Sequence, residues 1–148
     1  MKNIKASDLE IIKVKEEEWK PKFLGMKKKD IFKIEYYSNC IYGYNKDGNE
    51  VYYEDSDGSW WKSEYKDGNE VYREYSDGSW WKSEYKDGKK VYYENSNGYW
   101  WKSEYKDGNE VYYEYSNGSW LKLDNEGNKI EYLNKKYYLN GKEAKLKK

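Results

Sequence analysis

The fold of this chain is decided by the stretch Trp60-Trp61-Lys62-Ser63-Glu64-Tyr65-Lys66-Asp67-Gly68-Asn69-Glu70-Val71-Tyr72. The same stretch recurs from Trp80 with two changes and again from Trp100, so the repeat period is 20 residues. Asp-Gly or Asn-Gly also falls every ten residues, eight times between residues 47 and 118. These dipeptides tolerate the positive φ of tight turns, and between β-forming residues they indicate hairpins. The repeat therefore predicts a run of consecutive β-hairpins.

The segments between the turns are rich in Tyr, Trp and Val and contain no proline, as expected for strands. We predict an all-β chain, an antiparallel meander of about eight strands from Asn49 to Leu123 with further strands at both ends. Neither face of such a sheet is wholly apolar, which favours a single-layer, twisted, open sheet. The alternative is a sheet that curls on itself or dimerises through its richer aromatic face.

Two strand registers are compatible with the turns, and they place different residues on each face. A two-residue type I′ loop would pair Tyr65 with Glu70 and Lys62 with Arg73. A three-residue loop with a bulge at Gly68 keeps parity across the turn, and we favour it because it separates apolar from charged residues better. One face would then carry Trp61, Arg73, Trp81, Tyr93, Trp101 and Tyr113. The other would carry Trp60, Lys62, Tyr72, Glu74, Trp80, Lys82, Tyr92 and Glu94.

Composition divides the chain into three parts. These are an N-terminal capping segment (1–40), the tandem hairpin repeats (41–124), and a C-terminal hairpin cap with a basic tail (125–148). In the first part, the spacing of Ser7 and Glu10 is that of a capping box and predicts a short helix from about Asp8. The run from Leu9 to Val14 could equally form a strand. The run from Asp30 to Tyr36 predicts a strand that leads into the repeats.

The residues that catalysis most often needs are missing or repeated. The 148-residue chain has no histidine, the commonest general base, and no glycine-rich phosphate loop. Carboxylates such as Glu70 and Glu74 recur with the period, as structural ladder residues do. We therefore expect no enzymatic activity, no catalytic residues and no cofactor. Asp55 to Gly58 departs from the spacing of a calcium loop and is better explained as a turn, so no metal site is expected.

Bulk properties bound the location and the class of partner. Lys plus Arg equals Asp plus Glu at 28 each, so no net field favours nucleic acid. Cys40 is the only cysteine, which excludes an internal disulfide and a multi-cysteine zinc site. The N-terminal residues lack the apolar core of a secretory signal, and no window has the length and hydrophobicity of a membrane span. We expect a cytoplasmic protein without a membrane partner.

The units Tyr44 to Gly58 and Glu64 to Gly78 resemble the β-hairpin repeats of the MORN and YD groups. That resemblance covers about two thirds of the chain and implies a meander that serves as a binding or shell-like scaffold. The segment Lys136 to Lys142 is similar to repeats of phage and bacterial accessory proteins. Val51 to Gly58 also resembles the aromatic repeats of choline- and glucan-binding modules. The chain departs from a MORN unit, which carries further glycines and often a histidine.

An aromatic and charged sheet surface favours binding, and three partner classes follow. A protein partner comes first, because Trp, Tyr and Arg are enriched in interface hot spots; a phage-type inhibitor of a host enzyme would be one form, and a homodimer another. Carbohydrate or cell-wall binding through aromatic rows is the alternative. Single-stranded nucleic acid is third, because rows of Glu offset the lysines. The candidate binding residues are Trp60, Trp61, Tyr72, Arg73, Trp80, Trp81, Lys90, Tyr92, Tyr99, Trp100, Trp101 and Tyr112.

Residues that break the repeat are the best candidates for specificity. Arg73, Lys89, Lys90 and Tyr99 stand where sister repeats have Tyr, Asn, Glu and Ser. Replacing Arg73 and Lys90 is expected to weaken the affinity for a specific partner, measured as a change in Kd. An unchanged Kd would show that these two residues are not part of the site.

Overall fold

The computed structural model describes residues 5–13 and 31–147. Thirteen antiparallel strands follow one another in sequence order as hydrogen-bonded neighbours of one sheet. They are β1 Lys33–Tyr36, β2 Cys40–Tyr44, β3 Glu50–Asp55, β4 Trp60–Lys66, β5 Asn69–Tyr75, β6 Trp80–Lys86, β7 Lys89–Asn95, β8 Trp100–Lys106, β9 Asn109–Tyr115, β10 Trp120–Leu123, β11 Lys129–Leu133, β12 Lys136–Leu139 and β13 Lys142–Ala144. Eight of them, β3 to β10, occupy the predicted repeat region. The predicted all-β meander is confirmed, and it is open because β1 and β13 are not neighbours within the described residues.

From Gly58 to Gly118 the Gly-containing turns alternate between two kinds, although their sequences are nearly the same. Asp87 and Gly88 have φ values of 51° and 77°, and two successive positive φ angles define a two-residue type I′ loop. Asp67-Gly68 and Asp107-Gly108 have the same geometry. The intervening turns are wider. In the turn after β7, the Asn95 side-chain oxygen accepts a hydrogen bond from the backbone N–H of Asn97 at 3.0 Å. In that turn only Gly98 has a positive φ, of 84°.

The register combines elements of both sequence-based alternatives. Next to the tight turn between β6 and β7, Tyr85 pairs with Lys90, as the type I′ register requires. The register then shifts, so that Ser83 pairs with Tyr93. The predicted three-residue loop with a bulge at Gly68 is wrong, because Asp67 and Gly68 both have positive φ. In the β6–β7 and β8–β9 hairpins the bulge lies inside the strand pair instead, and it restores the parity on which the favoured face assignment depended.

The chain forms two compact units, Met1–Gly68 with Arg73–Gly78, and Asn69–Tyr72 with Ser79–Lys148. The first unit contains a small apolar core of Ile31, Ile41, Val51 and Tyr52. Ile31 packs on the backbone of Gly43, where a Cβ atom would lie 3.1 Å from Ile31 Cγ2. This packing buries Tyr52 completely, whereas its sister residues in later repeats, Tyr92 and Tyr112, are half-buried.

The N-terminal segment differs from the expectation. A three-residue 3₁₀ helix, Ala6–Asp8, replaces the predicted helix from about Asp8. The Asp8 carboxylate accepts the backbone N–H of Lys5 at 3.0 Å, so the capping contact starts two residues before Ser7. Lys13 forms an isolated bridge with Tyr37, directly after β1. Residues 14–30 of the expected capping segment lie outside the described residues.

The two turn types predict different costs for the same substitution. Asp87→Ala removes the short polar side chain that makes a positive φ tolerable at this position, and it is expected to lower the free energy of unfolding by about 1 kcal/mol. Asn97→Ala, which also precedes a turn glycine, is expected to cost less than half as much because Asn97 does not have a positive φ. Chemical denaturation of both variants measures the difference. Equal losses would contradict the assignment of two turn types.

Candidate functional site on the aromatic face

The side chains of each unit divide between two faces of its strands. We call the face that carries the second Trp of each Trp-Trp pair the aromatic face, and the opposite one the polar face. Tyr93 pairs with Trp101 across β7 and β8 and with Ser83 across β6 and β7. Because side chains alternate along a strand, Trp81, two residues before Ser83, lies on the same face.

In the first unit the aromatic face holds a row of four rings that ends at a cation. Ring centroids are separated by 6.0 Å between Tyr37 and Tyr42, and by 5.1 Å between Tyr42 and Tyr53. Tyr53 stacks on Trp61 at 6.2 Å with an interplanar angle of 16°. The Arg73 guanidinium carbon lies 4.0 Å from the Trp61 ring centroid, a geometry typical of cation–π contacts.

Arg73 is held over Trp61 by a second contact. Its Nε donates a hydrogen bond to Ser63 Oγ at 3.0 Å. Ser63 is 3% exposed, so this hydroxyl is a buried acceptor that fixes the guanidinium. The repeat-breaking residue at position 73 is therefore built into the aromatic row.

In the second unit the rings form a similar row. Trp81 and Tyr93 stack with centroids 6.3 Å apart and an interplanar angle of 25°. Tyr93 and Trp101 stack at 6.5 Å and 16°. Tyr99, which is 44% exposed, reaches the same row from its turn and lies 6.2 Å from Tyr93. The faces of Trp81, Tyr93 and Trp101 are thus turned toward one another.

The polar face repeats a network of four side chains. The Tyr92 hydroxyl donates to Glu94 at 2.9 Å, and Lys82 pairs with the same Glu94 oxygen at 3.1 Å. The Lys82 ammonium also lies 5.8 Å from the Trp80 ring centroid. The hydrogen bond from Lys82, followed by that from Tyr92, lowers the pKa of Glu94. The next repeat has equivalent contacts among Trp100, Lys102, Tyr112 and Glu114, so one lysine–glutamate ion pair recurs on this face in both repeats.

The predicted binding residues are split between the two faces. Those on or beside the aromatic face are Trp61, Arg73, Trp81, Lys90, Tyr99 and Trp101. Those on the polar face are Trp60, Tyr72, Trp80, Tyr92, Trp100 and Tyr112. Within each unit the predicted residues are therefore divided between opposite faces.

Several tyrosines of the aromatic face were not among the candidates, including Tyr37, Tyr42, Tyr53, Tyr93 and Tyr113. Tyr53, Tyr93 and Tyr113 share one position of the 20-residue period with Arg73, and that shared position is the signal that could have identified them. Tyr42 lies before the regular repeats, and only its pairing with Tyr53 reveals its place in the row.

A carboxylate with three donors lies at the β1 end of the first unit. Glu35 accepts hydrogen bonds from the Tyr37 hydroxyl at 2.6 Å and the Tyr44 hydroxyl at 3.3 Å. Its other oxygen pairs with Lys33 at 2.9 Å. The bonds from Tyr37 and then Lys33 lower the pKa of Glu35 from 4.5 to about 2. The same contact with Glu35 raises the pKa of Tyr37 to about 12.

The described residues show neither a metal-binding cluster nor a membrane-spanning helix. Residues 5–13 and 31–147 contain no cluster of three or more His, Cys, Asp or Glu side chains that could hold a metal ion. Within the described part of the chain, no helix has the length and apolarity needed to cross a membrane. Comparison with known protein families and with curated proteins gave no match.

The contacts of Glu35 predict a pH dependence of stability. Because its pKa is lower in the folded chain, its contribution is present above about pH 4.5 and is lost as the pH falls toward 2. Glu35→Gln is expected to make the acid-induced decrease in the free energy of unfolding shallower between pH 5 and 2. Denaturation curves at several pH values measure this slope. Glu126→Gln, at an exposed turn residue, should keep the wild-type slope; if both variants behave alike, the Glu35 contacts do not contribute.

Proposed function

We propose that this chain is a non-enzymatic binding protein that recognises a partner protein through its aromatic face. The observation that carries the proposal is a row of half-buried Trp and Tyr rings in each unit, accompanied by Arg73 in the first unit and by Lys90 in the second. Trp, Tyr and Arg dominate interface hot spots. The rings are held by their neighbours, so ordering them on binding costs little entropy.

Ring orientation favours a protein over a carbohydrate. A sugar that stacks on an aromatic residue needs a ring face open to solvent. In the row of Trp81, Tyr93 and Trp101 the interplanar angles of 16–25° turn the ring faces toward neighbouring rings. Contacts with a partner would therefore involve ring edges, hydroxyls and the cations, as in protein interfaces.

The pairing of lysines makes nucleic acid a weaker candidate. Lys62, Lys82 and Lys102 each form an ion pair with a glutamate of the following strand, at 3.1 to 3.4 Å. Binding to a phosphate backbone depends on cations that can neutralise phosphates. These lysines are already neutralised within the sheet.

The resemblance to accessory proteins suggests one form of this function, the blocking of a host enzyme by an aromatic surface. A second copy of the chain would be another partner for the same face. Both forms require that the aromatic face, and not the polar face, makes the contact.

The experiment compares capture by face-specific variants of the full, tagged chain in nuclease-treated lysate of the source cells. Tyr99→Ser with Trp101→Leu changes the aromatic face, and both substitutions copy sister repeats, which have Ser119 and Leu121 at these positions. A protein retained stoichiometrically by the wild type is expected to bind this variant at least about tenfold more weakly, because loss of a hot-spot Trp typically costs about 2 kcal/mol or more.

The matched control is Trp100→Leu, the same substitution one residue earlier and on the polar face. It should retain the partner with a Kd within about twofold of the wild type, provided that thermal melts show all variants folded. Equal losses on both faces, or retention of the partner by the aromatic-face variant, would refute the proposal. Binding of glycans in place of any protein would also refute it.

A further inference from the structure

In the second unit, the β6–β7 hairpin has a lysine at the position where the neighbouring β8–β9 hairpin has a glutamate. That glutamate is hydrogen-bonded within its own hairpin. In the β8–β9 hairpin, Glu110 accepts a hydrogen bond from Ser103 Oγ at 2.9 Å and one from the Tyr105 hydroxyl at 3.3 Å. Ser103 is buried and pairs across the strands with Tyr113, on the aromatic face. The repeat thus contains a carboxylate site made of a serine and a tyrosine hydroxyl.

The β6–β7 hairpin has the same backbone register and the same two donors, Ser83 and Tyr85, but Lys90 replaces the glutamate. The Lys90 ammonium lies above three rings of the aromatic face. It is 5.7 Å from the ring centroid of Tyr85, 5.8 Å from that of Tyr93 and 6.0 Å from that of Trp81. The cation therefore occupies the side of the hairpin that carries the carboxylate in the sister repeat.

The buried serine of this hairpin lacks the bond that its sister makes. Ser83 is 4% exposed, and its Oγ has no hydrogen-bond partner among the described residues. A buried hydroxyl without a partner is unfavourable. A carboxylate of a ligand could accept a hydrogen bond from this hydroxyl and form an ion pair with the ammonium of Lys90. Charge-assisted hydrogen bonds of this type are among the stronger ones.

The charge balance of the hairpin supports the same ligand. Lys89 and Lys90 stand where the next repeat has Asn109 and Glu110, a change of one positive charge at the first position and two at the second. Lys89 donates to the carbonyl of Gly108 at 2.8 Å and lies over Tyr105. Because Lys89 is engaged by these contacts, Lys90 is the cation that would pair with a ligand carboxylate. Lys89 adds positive charge beside it.

We propose that Ser83, Tyr85 and Lys90 form a carboxylate subsite that receives an Asp or Glu side chain of an acidic partner segment. The proposal deepens the proposed function and rests on it, because it gives the chemistry by which the aromatic face would select a protein. The partner carboxylate would take the place that Glu110 has in the neighbouring hairpin. It would accept hydrogen bonds from the two hydroxyls and form an ion pair with the ammonium.

The test is an NMR titration of the isotope-labelled full chain with N-acetyl-pentaglutamate amide. The backbone amides of Ser83, Tyr85 and Lys90 are expected to shift and saturate, whereas the uncharged pentaglutamine peptide should leave them unchanged. Lys90→Glu copies the sister repeat and is therefore expected to fold, yet it should weaken pentaglutamate binding at least about tenfold. Ser83→Ala should weaken it severalfold, since one donor is lost.

The control is Lys122→Glu, the same charge change at an exposed lysine of the polar face, which should keep the wild-type affinity for pentaglutamate. Equal weakening by Lys90→Glu and Lys122→Glu would show that only net charge matters and would overturn the subsite. Shifts spread over all exposed lysines would do the same. Tighter binding of a five-residue oligothymidine at the same amides would assign the subsite to phosphates and not to an acidic protein segment.

This titration is independent of the capture experiment on the aromatic face. If pentaglutamate does not bind but Tyr99→Ser with Trp101→Leu still loses a protein partner, the subsite is wrong and the proposed function stands. If pentaglutamate binds at Lys90 but the aromatic-face variant keeps its partner, the proposed function is wrong and the subsite has another use.

Discussion

The separation of the two faces of the second unit depends on a one-residue bulge in each of two strand pairs. These bulges lie just beyond the hairpin turns at Asp87-Gly88 and Asp107-Gly108. A type I′ loop by itself would leave all pairs in the register of Tyr85 with Lys90. Trp81 would then share a face with Glu94, because a one-residue change of register moves every side chain to the opposite face. The bulge shifts the pairing so that Ser83 meets Tyr93, and a row of aromatic rings forms on one face while a network of Tyr, Glu and Lys forms on the other.

Because the bulge keeps equivalent side chains on the same face, the same contacts recur from one repeat to the next. Each cross-strand pair contributes only about 0.2–1 kcal/mol, so stability depends on how many such pairs recur along the strands. The polar face meets this requirement with recurrent ion pairs such as Lys82 with Glu94. The aromatic face carries the departures from the repeat: Arg73 bonded to Ser63 and placed over Trp61, and Lys90 above a cluster of rings. A residue that departs from the repeat sequence while the strand pairing is kept is a good candidate for determining specificity.

Local preferences explain which predictions the structure confirms. The hairpins follow the Asp-Gly and Asn-Gly dipeptides, and β12 and β13 form a further hairpin across Asn140-Gly141. The prediction of a helix from about Asp8 is wrong, because the Asp8 carboxylate accepts a hydrogen bond from the backbone N–H of Lys5. Residue spacing in the sequence does not distinguish this contact from a capping box at Ser7. The predicted binding residues lie on both the aromatic and the polar faces. Strand alternation separates the adjacent Trp60 and Trp61 onto opposite faces already at the level of sequence, but it does not tell which of the two faces a partner would contact.

The sequence by itself determined the all-β class, the ten-residue rhythm and the number of repeat strands, because turn formation depends on backbone angles that Gly, Asp and Asn adopt locally. Only the tertiary structure decided that Asp87-Gly88 closes a tight turn while Asn97-Gly98 closes a wide one capped by Asn95. It also decided where the bulges lie, and therefore that Ser83 is buried beside Lys90 with no hydrogen-bond partner for its hydroxyl among the described residues. These features depend on hydrogen bonds and ring contacts between strands, and a shift of one residue in the pairing, which local sequence does not specify, exchanges the two faces.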